Sequence, residues 1–343
     1  MRGLVLRGVG RVEVEEVAEP NPTTPDSAVV DVSLAGLCGS DLHAYLGREP
    51  ARTGVVQGHE AVGVVSEVGD DVTRVAVGDR VIVPFTTSCG HCRRCASGLS
   101  SRCEVGQLFG WGDPASDAPA LHGAQAERLA VPFADGTLVE APAMVDDAAA
   151  LLLADNLPTA WYAVTRADWS DGPIAVIGLG AVGQCAVAVA LSSGRGPVLA
   201  IDPVADRRDA AERQSARVES LTPEEAIASG RRVRAVVEAA GPPAAQRLAA
   251  ALAEPGATIS IIAVQTSDAF AVGPVAAYDR NLTIRTGRAP VRSLLEPMLD
   301  RISAGTLTVP TSVITHPERT LDDAPDMYRL FAERKVTKAT FRM

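Results

Sequence analysis

The stretch "IAVIGLGAVGQCAVAVAL", Ile174 to Leu191, constrains the fold of this chain more than any other. It is essentially charge-free and long enough to suggest a membrane span. Three glycines argue against that. Gly178, Gly180 and Gly183 form a G-x-G-x-x-G that ends one short strand, "PIAVIGLG", and opens a small-residue helix from about Ala181. In that setting the first glycine allows a tight turn, the second lets a pyrophosphate approach the backbone, and the third permits close helix packing. The helix N-terminus offers unpaired N–H groups to the phosphates. The run is therefore read as a buried strand plus a buried helix, with Leu179 and Val182 in the same cofactor-binding turn. Cys185, on the helix, reads as a small buried apolar residue.

The neighbouring segments repeat the alternation. "PVLAID" is a second strand and "ADRRDAAERQSA" a polar helix. "VRAVVEAAG", "GATISIIAV" and "NLTIRTG" supply later strands, with "PAAQRLAAALA" helical between two of them. Strands alternating with helices indicate an α/β fold, a doubly wound parallel Rossmann sheet over about 156–290. Asp202 ends the second strand, where a carboxylate accepts hydrogen bonds from an adenosine ribose. It repels a 2′-phosphate and so favours NAD over NADP. Arg207 and Arg208 keep NADP open, since guanidinium groups there could accommodate a phosphate.

Residues 1 to about 155 have another texture. "RGLVLRGVGRVEVEEV", "SAVVDVSLAGLC" and "GHEAVGVVSEVGDDVTRVAVGDRVIVPF" are short β-branched runs punctuated by turn signals. They suggest a partly closed antiparallel barrel. After about residue 290, "VRSLLEPMLDRISAG" and "TLDDAPDMYRLFAERK" read as helices and "TKATFRM" as a closing strand. This tail, 291–343, is too short to be a domain and is expected to pack back onto another part of the chain. No repeat of fixed period or low-complexity tract interrupts the pattern.

Four of six cysteines crowd into "SCGHCRRCASGLSSRC": Cys89, Cys92, Cys95 and Cys103. A disulfide framework belongs to small secreted domains, whereas 343 residues at 47% hydrophobic content are enough for two sizeable cores. Arg7 and Arg11 break any apolar run at the start, so no signal peptide is visible and a reducing cytoplasm is expected. There, four close thiols read as a structural zinc site, with unligated thiols as the remaining reading. His91 lies inside the lobe as a bystander. The formal charge of −10 argues against a nucleic-acid surface.

Cys38, in "GLCGSDLHAYLGREP", and His59 and Glu60, in "GHEAVG", stand apart from that lobe. A catalytic zinc keeps three protein ligands and one open position. Cys38 and His59 would supply two; the third is not visible from spacing, and each residue alone is more often structural.

Together, "CGSDLH", "GHEAVG", the four-cysteine lobe, "GLGAVG" and the strand-ending Asp202 resemble the zinc-dependent medium-chain alcohol dehydrogenase family. "LGREP", "SCGHCRRCASGLSSRCEVGQLFGW", "GAQAERLAVPFADGTLVEAP" and "LLLADNLPTAWYA" are similar to its formaldehyde-dehydrogenase-like subgroup. The resemblance implies a GroES-like, partly open barrel catalytic domain built from both ends of the chain around a central Rossmann domain. It implies two zinc ions, NAD, and hydride exchange with a small alcohol, aldehyde or ketone, in a homodimer or homotetramer. It places Asp155 as third zinc ligand and Glu60 as alternate ligand. Ser40 would bond the substrate oxygen, His43 would relay the proton, Asp41 would orient His59, and Thr159 would lie near the nicotinamide. Asp155 as a helix N-cap or solvated loop residue, and His43 as a surface histidine, remain the rival readings. His122 and Trp111 come from a segment that could line the pocket. Two other functions stay open: reduction of an imine or enone on the same scaffold, and non-catalytic binding of NAD and zinc. The retained ligand set counts against the first, and Ser40 and His43 against the second. The stretch from "QSARVES" to "SGRRVRAVVEAAG" looks shorter than the family pattern.

Overall fold

The computed structural model describes residues 1–115, 117, 119–267 and 269–343. These form two compact units: residues 1–155, 290–300 and 314–343 in the first, 156–289 and 301–313 in the second.

The first unit begins with the antiparallel hairpin β1 (Arg2–Gly8) and β2 (Arg11–Glu16). It continues through β3 (Ala28–Leu37), the short helix α1 (Asp41–Tyr45), β4 (Ala61–Val68) and β5 (Arg80–Val83). Then come α2 (Arg93–Ala96) within the cysteine lobe, β6 (Arg128–Val131), α3 (Ala134–Thr137), β7 (Val139–Glu140) and α4 (Asp147–Ala154). Valines of the β-branched runs face inward: Val30, Val32, Val65, Val81 and Val83 pack with Phe109 and Leu129 in one core. Such alternation is what buries one face of a strand and leaves the other wet.

The second unit opens with α5 (Asn156–Arg166), β8 (Ile174–Ile177), α6 (Ala181–Ser192), β9 (Val198–Ile201) and α7 (Ala205–Glu212). It proceeds through β10 (Val218–Leu221), α8 (Pro223–Ala228), β11 (Val233–Glu238), α9 (Pro243–Leu252), β12 (Ala253–Ile261), α10 (Pro274–Asp279) and β13 (Thr283–Thr286). The six strands lie in the order β10-β9-β8-β11-β12-β13. Every pair is parallel. All four residues of β8 and of β9 are buried, as parallel strands covered on both faces require. The apolar stretch met first in the sequence is thus strand, turn and helix, and among the described residues no helix is long and apolar enough to cross a membrane. In this unit the helices α5, α8 and α10 and the strand β10 escaped the sequence reading. Thr222 and Glu225 form a capping box at the start of α8, with Pro223 in the first turn, a signal present in "TPEE".

The tail supplies α11 (Val291–Ser303), β14 (His316–Thr320), α12 (Ala324–Ala332) and β15 (Ala339–Arg342). β15 pairs antiparallel with β3, Ala339 opposite Leu37, extending a seven-stranded sheet β14-β15-β3-β4-β5-β7 with β6 also on β3. Met327, Tyr328 and Phe331 of α12 join Leu4, Leu6, Leu37 and Phe341 in a second core, which is why so short a segment needs no core of its own. Two expectations are corrected. The sheet is not wholly antiparallel, because β14 runs parallel to β15. Residues 301–313 belong to the second unit rather than to the return. There the Arg301 guanidinium lies 4.9 Å over the Trp161 ring, and the turn at Thr311–Val313 packs on α6.

Candidate active site

β3 ends at Leu37, and the next four residues, "CGSD", turn into α1. That turn is organised by Asp41. Its buried carboxylate accepts the Cys38 backbone N–H at 2.9 Å through Oδ2 and meets His59 Nδ1 at 3.0 Å through Oδ1. In the neutral ring, with Nδ1–H donating to Asp41, the lone pair of His59 is on Nε2, the nitrogen a metal would use. Nε2 faces Ser40 Oγ at 3.2 Å and Asp155 Oδ2 at 3.6 Å.

Asp155 arrives from far away in sequence. Helix α4 starts where the Asp146 side chain accepts the Ala149 N–H, and it is buried from Ala149 to Ala154. It packs against β3, β4 and β5 and delivers Asp155 at its C-terminal end. The carboxylate is buried, not a solvated loop residue, and stands 3.3 Å from Cys38 Sγ. Cys38, His59, Glu60 and Asp155 together place one donor atom each within 4.8 Å of one another.

These distances fit a cation. Zinc bond lengths at a tetrahedral angle put neighbouring ligand atoms about 3.3–3.6 Å apart. The charges fit too. Burial, with the Asp155 and Glu60 carboxylates behind it, pushes the Cys38 thiol up. Burial alone would lower the His59 imidazole, yet Asp41 and Asp155 raise it well above its ordinary value. A thiol and several carboxyls gathered in a dry site are compensated best by a dication. Part of the compensation is already built in. Lys338, from the strand-leading residues of β15, forms an ion pair with Glu60, and neither residue is exposed to solvent. A side chain at Gly36 would collide with this pair, its Cβ 1.9 Å from Glu60 Oε2. Lys338 was missed from sequence; the signal was a lysine within "VTKATF", where Val336, Ala339 and Phe341 are apolar and buried.

The lobe residues Cys89, Cys92, Cys95 and Cys103 also converge within 4.8 Å. Backbone N–H groups point at the sulfurs: Cys92 N to Cys89 Sγ and Cys89 N to Cys103 Sγ, both 3.3 Å. Backbone donors at Cys95 and Glu104 bring the Cys92 thiol down to about 6, whereas burial and the neighbouring Cys92 push the Cys95 thiol up to about 12, so the sulfurs share out their protons when no cation is present. His91 is exposed, with its ring nitrogen 2.9 Å from the Cys89 carbonyl.

In the second unit the glycine-rich turn has the form its sequence suggested. Gly178 has φ +87°, and a Cβ there would sit 2.8 Å from the Ala240 nitrogen. A Cβ on Gly183 would fall 1.8 Å from the Gly178 carbonyl oxygen, whereas one on Gly180 would meet nothing within 4 Å. The first and third glycines are thus required by the protein itself. The second, which caps α6, borders open space where a Cβ would stand. Leu179 N–H donates to Asp202 Oδ2 at 2.7 Å, and Val204 N–H to Oδ1 at 2.8 Å. Asp202 therefore fixes the turn as well as marking the end of β9. Arg207 Nη1 lies 3.9 Å from Asp202, and Arg208 Nη1 donates to the Asp202 carbonyl at 2.8 Å. Val182 and Thr159 are half-buried, on α6 and α5.

His43 lies on α1, and its buried Nδ1 has no hydrogen-bond partner among the described residues. His122 Nδ1 accepts the Val56 N–H at 3.1 Å, and Trp111 pairs with Leu121 in an isolated bridge.

Residues 24–143 match the alcohol dehydrogenase GroES-like domain. A zinc-type alcohol dehydrogenase B of Aspergillus flavus is 37% identical across all of this chain and 81% of its own length. A probable zinc-binding alcohol dehydrogenase of Mycobacterium tuberculosis is 39% identical over 90% of this chain and 80% of its own. Among solved structures, an alcohol dehydrogenase from Thermus sp. ATN1 superposes with a TM-score of 0.93 at 33% identity, covering both chains in full. The chain belongs to the zinc-type alcohol dehydrogenase family, zinc-dependent oxidoreductases of alcohols that work with NAD(H).

Proposed function

We propose that Cys38, His59 and Asp155 hold the catalytic zinc, with Glu60 in reserve on Lys338, and that the chain interconverts a small alcohol and its aldehyde or ketone. Bound there, zinc supplies Lewis acidity toward a substrate oxygen, and NAD supplies the hydride acceptor. The rest is the work of the side chains. Asp41 keeps the His59 ring turned so that Nε2 faces the donor set. Ser40 Oγ, beside Nε2, is placed to hydrogen-bond the reacting hydroxyl and take its proton. His43, with Nδ1 unsatisfied, is the next acceptor. The turn from Gly178 to Gly183, including Leu179, Gly180 and Val182, takes the pyrophosphate. Asp202 takes the adenosine ribose and disfavours a 2′-phosphate, Arg207 borders it, and Thr159 faces the nicotinamide. Cys89, Cys92, Cys95 and Cys103 hold a structural zinc.

The observation that carries this reading is the 3.3 and 3.6 Å spacing of Asp155 Oδ2 from Cys38 Sγ and His59 Nε2. A homodimer or homotetramer in the cytoplasm completes the proposal; four cysteines gathered in one lobe with metal-ligand spacing suit a reducing compartment. The test is to incubate the purified protein with NAD⁺ or NADP⁺ and a panel of small alcohols while following absorbance of the reduced nicotinamide. Turnover with NAD⁺ that Cys38→Ser abolishes, leaving NADH affinity nearly intact, is the expected result. Silence across the panel, despite bound zinc and measurable NADH affinity, contradicts it.

A further inference from the structure

Glu238 is the last residue of β11 and is fully buried. Its strand lies between β8 and β12, with Glu238 in register with Ile177 on one side and Ile261 on the other. From β8 the chain winds outward through β9 and β10; from β11 it winds the opposite way through β12 and β13. The strand ends at such a switch point border the ligand crevice of an open α/β sheet. An apolar side chain would fill this position without the cost of burying a carboxyl. What the carboxyl does instead is specific. Oε1 accepts two consecutive backbone N–H groups, Ala240 at 2.8 Å and Gly241 at 2.7 Å. Gly241 has φ +99°, so the chain makes an irregular turn here, and Ala239 N–H is tied across to the Ile177 carbonyl at 2.8 Å.

That turn is the wall against which the glycine-rich loop rests, since any side chain on Gly178 would strike Ala240. The loop is therefore gripped from both neighbours of β8. Asp202, after β9, binds Leu179 N–H directly, and Glu238, ending β11, fixes the turn under Gly178. We propose that Glu238 is a positioning residue for the dinucleotide, its Oε1 setting the glycine-rich loop through the Ala240–Gly241 turn. This rests on the reading of that loop as the NAD site. Oε2 has no hydrogen-bond partner among the described residues, and burial pushes the carboxyl up. Both bonds into the turn are accepted by Oε1, an oxygen that a carboxamide also offers, so a glutamine should replace it.

The test measures NADH dissociation constants by fluorescence for the wild-type enzyme, Glu238→Ala, Glu238→Gln and Gly241→Ala, with zinc content recorded for each. Glu238→Ala should weaken NADH about tenfold and raise the KM for NAD⁺ similarly, with kcat changed less than about threefold and zinc content unchanged. Glu238→Gln should stay within about threefold of wild type. Gly241→Ala strains the same turn without touching the carboxyl and should weaken NADH as Glu238→Ala does, which keeps the question open to test should Glu238→Ala fail to fold. NADH binding by Glu238→Ala or Gly241→Ala within about twofold of wild type overturns the proposal, as does a Gln variant as weak as the Ala variant. A wild-type enzyme that binds no NADH would instead sink the reading of the loop, a distinguishable failure.

Discussion

Lys338→Met removes one ammonium from a pair in which neither partner touches solvent. Methionine keeps the length and the apolar stem, so the change is electrostatic rather than steric. Breaking one side of a buried pair costs about 3–5 kcal/mol, because the remaining charge is stranded in a dry site. Glu60 is worse placed than most, with the donor atoms of Cys38 and Asp155 inside the same 4.8 Å group. The upper half of that range, about 4–5 kcal/mol, is therefore expected. For a unit of about two hundred residues each kcal/mol lowers Tm by roughly 2–4 °C, so a fall of roughly 8–20 °C should follow. Glu60→Gln added to Lys338→Met removes both charges and should recover most of the loss, since neutral replacement of a whole buried pair is nearly without cost. Urea unfolding and thermal melts of wild type, both single variants and the double variant, all stripped of zinc by chelation so that no dication compensates Glu60, provide the cycle. A Lys338→Met enzyme within about 1 kcal/mol of wild type, or a double variant no more stable than that single, refutes the reasoning.

Gly183→Ala would drive a methyl group to 1.8 Å from the Gly178 carbonyl oxygen, so the loop must shift and NADH affinity should fall at least about tenfold; fluorescence titration checks it. Asp202→Ala removes the acceptor of Leu179 N–H, and the ratio of NAD⁺ to NADP⁺ specificity constants should move toward unity. An unchanged ratio removes Asp202 from the ribose site. Cys103→Ala breaks the four-sulfur lobe and should lower zinc by one ion per chain, with Tm falling and residual turnover retained. Equal zinc in variant and wild type would mean the lobe holds none.

The parts legible in the sequence are those whose cause is local. Gly178 and Gly183 are fixed by backbone closeness within one turn, and the cysteine lobe by spacing within fifteen residues. Asp41 sits three residues from Cys38, so its grip on that backbone is a property of "CGSD". Asp155 lies 117 residues from Cys38 and was reached only through resemblance, because no periodicity links α4 to the turn before α1. Lys338 stands 278 residues from Glu60 and was not reached at all, as a lysine in a strand reads as solvent-facing until its neighbours are known. The same distance effect hid residues 301–313, whose allegiance is decided by Arg301 over Trp161 and by the Thr311–Val313 turn on α6. Glu238 ends an ordinary apolar strand pattern, and only the turn that follows gives its carboxyl a task. Capping in "TPEE" was legible and overlooked.

Elemental analysis of zinc per folded chain bears most directly on whether residues 38, 59 and 155 hold a metal. Wild type should carry two ions, and a Cys38→Ala, Asp155→Ala double variant that still binds NADH should carry one. As many ions in that variant as in the wild type would show that residues 38 and 155 hold no metal.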